Sequence, residues 1–260
     1  MLYSAIKVAK NKQLKLATLS AVFLLSTVSC VSMTATQNGA NIATAGTNDY
    51  CQSQDLESTT YNNQSTQQRA ISCMLAEIQQ YQQKNKTAQQ QYFAYKAQAW
   101  LNYAIHKDSI NSRSLTGLEA AQSAETILQA LKKGSESDFM LIQDIPASSA
   151  LIRPDLWGTL SALKDSGAID NAPRELAFSE VALIWAANEQ CGKNTRQAGT
   201  HFRMADRWLE QAREAFVNAH SSKTNVALEE LTVRYYEQYV PLDSTNDRCT
   251  GQILPPLDRI

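Results

Sequence analysis

Glu180 and Glu189 bracket Trp185 in one apolar run, and a pair of carboxylates is the usual equipment for general acid and base work. Nine residues on a helix amount to 900° at 100° per residue, so the two point about 180° apart. They cannot converge on one substrate unaided, and solvated helix faces are where they are expected. His106, His201 and His220 are scattered, with no Cys-x-x-Cys or His-x-x-x-His pair, so neither a metal site nor a cofactor is expected. His201 lies near Trp208, but nothing else in the sequence supports a site there. Gly-x-Ser-x-Gly, His-Glu-x-x-His, the phosphate-binding loop and the dinucleotide fingerprint are all missing. No catalytic residue is assigned, and the chain reads as non-enzymatic. Trp100, Trp157, Trp185 and Trp208 each fall on an apolar stripe. Core packing is the expected role; grouped in a groove, they would instead hold a peptide or glycan.

The cysteines carry more information. There are five, namely Cys30, Cys51, Cys73, Cys191 and Cys249, and an odd number is awkward in an oxidising compartment. If Cys30 is modified, four remain, and four allow three pairings. Cys51–Cys73 with Cys191–Cys249 is favoured, because each bridge would pin a loose terminal segment to the body. Each would contribute about 2–4 kcal/mol.

Cys30 has its own context. Residues 1–15 hold Lys7, Lys10, Lys12 and Lys15 and no acid, and residues 16–28 are apolar with small polar interruptions. A positive region followed by a short apolar one is an export signal. The run is shorter than the roughly 20 residues that span a bilayer as a helix. Thr27-Val28-Ser29-Cys30 resembles the lipobox of bacterial lipoproteins, with Ser29 as the small residue and Thr27 where Leu is usual. The resemblance implies a signal peptide over 1–29, cleavage before Cys30, and acyl chains (palmitate among them) on that cysteine. One chain alone holds marginally, at about 0.8 kcal/mol per buried methylene, whereas several hold permanently. Val31 rather than Asp follows the cysteine, which by the same resemblance implies the outer membrane of a Gram-negative envelope. Residues 30–65 are rich in Ser, Thr, Asn, Gln and Ala and read as a flexible tether. Its part before Cys51 would reach about 25 Å root-mean-square.

Charge excludes one class of partner. The chain has 24 basic and 25 acidic side chains. Removing the four lysines of the leader leaves 20 basic side chains against 25 acidic, about −5, and a mildly acidic body has no footprint for nucleic acid.

The elements that must position these residues read as helices. Only 9 Gly and 6 Pro interrupt the sequence, too few for a many-turned β fold. Apolar residues recur at spacings of 3 and 4 over 69–84, 89–107, 114–133, 153–166, 173–190 and 197–219. Lys132-Lys133-Gly134 is a regular helix stop, and Pro154 and Pro173 suit first helical positions. Residues 225–239 fit either a helix or a strand, since Thr232-Val233-Arg234-Tyr235-Tyr236 also suits β structure. The fold class expected is all-α: an irregular antiparallel bundle of about seven helices in residues 66–240, built from hairpins such as 89–107 with 114–133 and 173–190 with 197–219, with an extended tail over 241–260. No 34-residue repeat period returns.

Three segments carry a second resemblance: Tyr95-Lys96-Ala97-Gln98-Ala99-Trp100-Leu101, Arg153-Pro154-Asp155-Leu156-Trp157 and Glu180 through Glu189. Together they are similar to the helical region that precedes the OmpA-like domain in some proteobacterial outer-membrane proteins, over roughly residues 90–217. The chain has no room after that region for the peptidoglycan-binding domain, and its Asn-x-x-Leu-Ser-x-x-Arg-Ala motif is missing. Peptidoglycan binding is therefore not carried over; an envelope location and a helical fold are what the resemblance implies. The expectation is a lipid-anchored binding or scaffold protein for another envelope component. The alternatives are an enzyme or accessory factor acting on cell-wall glycan or peptide, which needs convergent acids in a cleft, and a purely structural envelope protein.

Overall fold

The computed structural model describes residues 66–110, 115–141, 152–192 and 195–243, together with Cys249. The expected signal segment, Cys30, the expected tether, Cys51 and most of the expected C-terminal tail lie outside the described residues. Among the described residues seven α-helices follow one another: α1 (Thr66–Gln79), α2 (Ala88–Ile110), α3 (Leu115–Lys133), α4 (Pro154–Asp165), α5 (Pro173–Cys191), α6 (Thr195–Ala219) and α7 (Ser222–Asp243). Short 3-10 turns stand at Glu136–Asp138 and Ala168–Asp170, and no strand occurs among the described residues. None of the described helices is long and apolar enough to cross a membrane.

The punctuation of the sequence accounts for the helix ends. Gly134 adopts φ 68°, the left-handed conformation that glycine takes without a Cβ penalty, and Ser135 N–H donates to the Ala130 carbonyl at 3.0 Å. Pro154 and Pro173 open α4 and α5, where a missing N–H costs no helical bond. The residue before Pro154 is less regular. Arg153 is left-handed at φ 68°, and its guanidinium grips Asp155 at 2.6 Å.

Two hairpins form the body. The most extensive helix contacts are α5 with α6 and α2 with α3, the pairs that the short connections predict. α1 lays Ile71, Met74 and Ile78 on this body, chiefly against α2. α7 packs on α4, burying Leu228, Tyr235 and Tyr239. Their spacing of seven and four puts them on one buried helical face, which answers the helix-or-strand ambiguity, and leaves Val233 and Tyr236 exposed. The two helices approach closely at Gly158, where an added Cβ would lie 3.0 Å from the Tyr236 nitrogen. α7 also runs through to Asp243, three residues into the segment expected to be extended.

α5 is the central helix. Its buried set includes Leu176, Ala177, Val181, Leu183, Ile184, Ala186 and Ala187, residues that point in every direction around its axis. α2 is similar, with Tyr92, Phe93, Ala97, Leu101, Tyr103 and Ala104 each at most 1 % exposed. Cross-contacts advance together along the pair: Lys96 with Glu180, Tyr103 with Asn188, and Lys107 with Glu189. α2 and α5 therefore run side by side in the same direction.

Candidate functional site

Two buried polar clusters and a cavity lie along the α2–α5 pair. The first surrounds Glu180, which is 0 % exposed. Lys96 of α2 reaches its Oε1 at 3.2 Å, Lys164 of α4 reaches Oε2 at 3.1 Å, and the Tyr92 hydroxyl donates to Oε2. Both ammoniums also stand near the face of the Tyr92 ring, at 5.9 and 5.3 Å from its centroid. Burial pushes the Glu180 carboxyl up. Lys164 and Lys96, with the Tyr92 hydrogen bond, outweigh that and hold it below its ordinary value of 4.5. The cluster ties three helices together, and its carboxylate is fully engaged.

The second feature lies at the other end of the pair. Glu189 is 4 % exposed, pairs with Lys107 of α2, and accepts the Trp185 indole N–H at 3.3 Å. Trp185 is the centre of an aromatic stack. Tyr103 lies 4.4 Å from it on one side and His201 of α6 at 4.0 Å, both within 30° of parallel, and His106 of α2 approaches at 4.9 Å. Burial is the main cause that pushes the Tyr103 hydroxyl up to about 12. Burial, then His106, lowers the His201 pKa from 6.5, and Lys107 adds to this while Glu189 opposes it.

The third feature is a cavity of about 230 Å³ between the hairpins. Phe93 and Trp100 come from α2, Ile127 from α3, Phe139 from the turn after α3, and Ile184 from α5; Ser123, Thr126 and the Lys96 side chain complete the lining. Its wall is mostly apolar, and Lys96 is the only charged residue in it.

This arrangement corrects several sequence expectations. Glu180 and Glu189 do not sit on solvated faces; both are buried, because α5 is enclosed on all sides and lysines of α2 follow both carboxylates inward. They do not converge on one point, as their phase on the helix requires. No site forms between His201 and Trp208, as expected from the sequence: His201 stacks on Trp185, and the Trp208 ring meets Phe178 at 5.5 Å and the Arg174 guanidinium at 5.1 Å. The four tryptophans share no single groove. Trp157 is core at 1 % exposure, Trp100 lines the cavity, and Trp185 and Trp208 are half-buried at separate places. The Trp157 indole nitrogen is buried without a hydrogen-bond partner.

Sequence reasoning missed Lys96, Lys164, Lys107 and Tyr92. A lysine inside an otherwise apolar helical stripe, as in Phe93-Ala94-Tyr95-Lys96-Ala97, was the available signal. The Cys191–Cys249 bridge is present, with Cα atoms 5.5 Å apart. Cys73 is also disulfide-bonded; the Cys51 half of the expected Cys51–Cys73 pair lies outside the described residues. Among the described residues no group of three or more His, Cys, Asp or Glu could hold a metal ion. Comparison with protein-family models, with curated proteins and with solved structures yields no match.

Proposed function

We propose that this chain is a non-enzymatic lipoprotein of the Gram-negative outer membrane, acylated on Cys30, whose helical body docks another envelope protein in the cavity between its hairpins. The cavity is the observation that carries the docking role. Its volume of about 230 Å³ and its aromatic and aliphatic wall suit one large apolar side chain of a partner, the kind of anchor that dominates interface energetics. Ser123 and Thr126 give it a polar margin, and such a margin is the ordinary anatomy of an interface. The buried carboxylates favour binding over catalysis, since Glu180 and Glu189 are each held by lysines. Lipid anchoring rests on the lipobox resemblance and on the cysteine count; the location rests on Val31 and on the similarity to the helical region of OmpA-family proteins.

Two measurements test the halves separately. Labelling cells with radioactive palmitate should mark the wild-type chain and leave Cys30→Ser unmarked; equal labelling, or none in either, removes the anchor. A photo-crosslinking amino acid at position 126, on the cavity margin, should trap one envelope protein that the same group at exposed position 233 does not. Trapping of the same set from both positions sinks the docking role and leaves the anchor untouched.

A further inference from the structure

The docking reading makes no use of the two imidazoles held against Trp185. His201 is 8 % exposed and stacks on that indole at 4.0 Å. His106 meets the same indole, and the imidazole centroids are 6.2 Å apart. His106 Nε2 and His201 Nδ1 are both buried without a hydrogen-bond partner. The groups facing them are Tyr103 and Lys107 from α2 and Glu189 from α5; Glu189 already serves Lys107 and the Trp185 indole.

A neutral imidazole is comfortable in such a place, because one face is stacked and only one ring nitrogen must donate. An imidazolium is not. It carries two N–H donors that need acceptors, and its charge must leave water. A proton on His201 would place a cation beside His106 and Lys107, with Glu189 as the opposing charge. Burial first, and then these cationic neighbours against the opposition of Glu189, lower its pKa. His201 stands in the second turn of α6, between the buried Ala198 and Phe202, while Ala205, Leu209, Ala212 and Phe216 bury the helix further along. Movement of the first two turns exposes Ala198 and Phe202 and leaves the four later core residues of α6 to hold the hairpin.

We propose that this joint is an acid-operated latch: protonation of His201 beside His106 releases the first two turns of α6 from Trp185 while the rest of the bundle stays folded. An imidazole with an ordinary pKa of 6.5 when released, and held neutral when stacked, favours the open form by up to about tenfold between pH 7.5 and 5.5.

Hydrogen exchange on the full chain tests this, with rates corrected for the pH dependence of intrinsic exchange. Protection over residues 198–202 should fall by up to about tenfold between those pH values, while that of Leu160–Leu163 in α4 holds. His201→Phe keeps a ring against the indole without a titratable nitrogen, and it should make the protection of α6 independent of pH. Constant protection in the wild type, parallel loosening of α4, or unchanged pH dependence in His201→Phe overturns the latch. If that variant does not fold, an NMR titration of the wild-type His201 ring decides. A midpoint below 6.5 accompanied by α6 loosening supports the latch, and a midpoint at or above 6.5 overturns it.

Discussion

Lys96 and Lys107 lie eleven residues apart on one face of α2, and each meets a glutamate of α5, yet the two ends of that interface are built on different physics. At the Glu180 end the carboxylate accepts from two ammoniums and a tyrosine hydroxyl, and every participant is at most 6 % exposed. Buried charge is tolerable there because each formal charge has an opposite neighbour and a hydrogen bond. At the Trp185 end the holding force is ring stacking, and two imidazole nitrogens are left unpaired. Such a site stays settled only while His201 is neutral. One end of the interface is thus a fixed cross-link, and the other is conditional on pH.

The largest expected effect comes from breaking the fixed end. Glu180→Gln leaves Lys96 and Lys164 buried without their shared carboxylate, and should lower unfolding free energy in urea by about 3–5 kcal/mol. A loss under about 1 kcal/mol would mean that this cluster behaves like a surface pair. Trp185→Ala removes the centre of the stack. Core Trp→Ala changes cost about 3–5 kcal/mol, and the half-buried position reduces that to about 2–3. Circular dichroism on heating would read the lowered Tm. Glu189→Gln is the counterpart of the first change and should cost less, about 1–2 kcal/mol, since Lys107 keeps access to water. Equal losses at positions 180 and 189 would erase the distinction between the ends.

Acid should separate the two ends in order, with the smallest initial effect. His201 has a lowered pKa in the folded chain, so its contribution is complete above the ordinary 6.5 and declines as pH falls below that value. Glu180 is also lowered, so its contribution is present above 4.5 and is lost as pH falls through the still lower folded value. Unfolding free energy measured from pH 7.5 to 3 should decline first by up to about 1 kcal/mol and then steeply. His201→Phe should flatten the first phase alone, and a first phase unchanged by that substitution would assign it to another group.

Much of the scaffold was legible because local patterns and tertiary contacts agree. The 3–4 spacing in α3 and α6, Lys132-Lys133-Gly134, and Pro154 and Pro173 at helix starts act within one or two turns of their own helix. Both hairpins followed from short connections, and Cys191–Cys249 from the value of pinning the segment after α7. The candidate sites were far less legible. Lys164 and Lys96 meet one carboxylate across 16 and 84 residues of sequence, and no spacing rule reports a partner at such a distance. Trp208, seven residues from His201 on α6, meets Phe178 and Arg174. The stack instead forms across the α5–α6 hairpin, where Trp185 lies opposite.

What the sequence determined alone is the helical class and the order and approximate ends of the helices, because periodicity and caps are local properties of the chain. The tertiary structure decided that Glu180 and Glu189 are buried rather than solvated. The reason is the position of α5 at the centre: a helix enclosed on all sides must bury its polar residues as well, and α2 and α4 bring the lysines that make this tolerable.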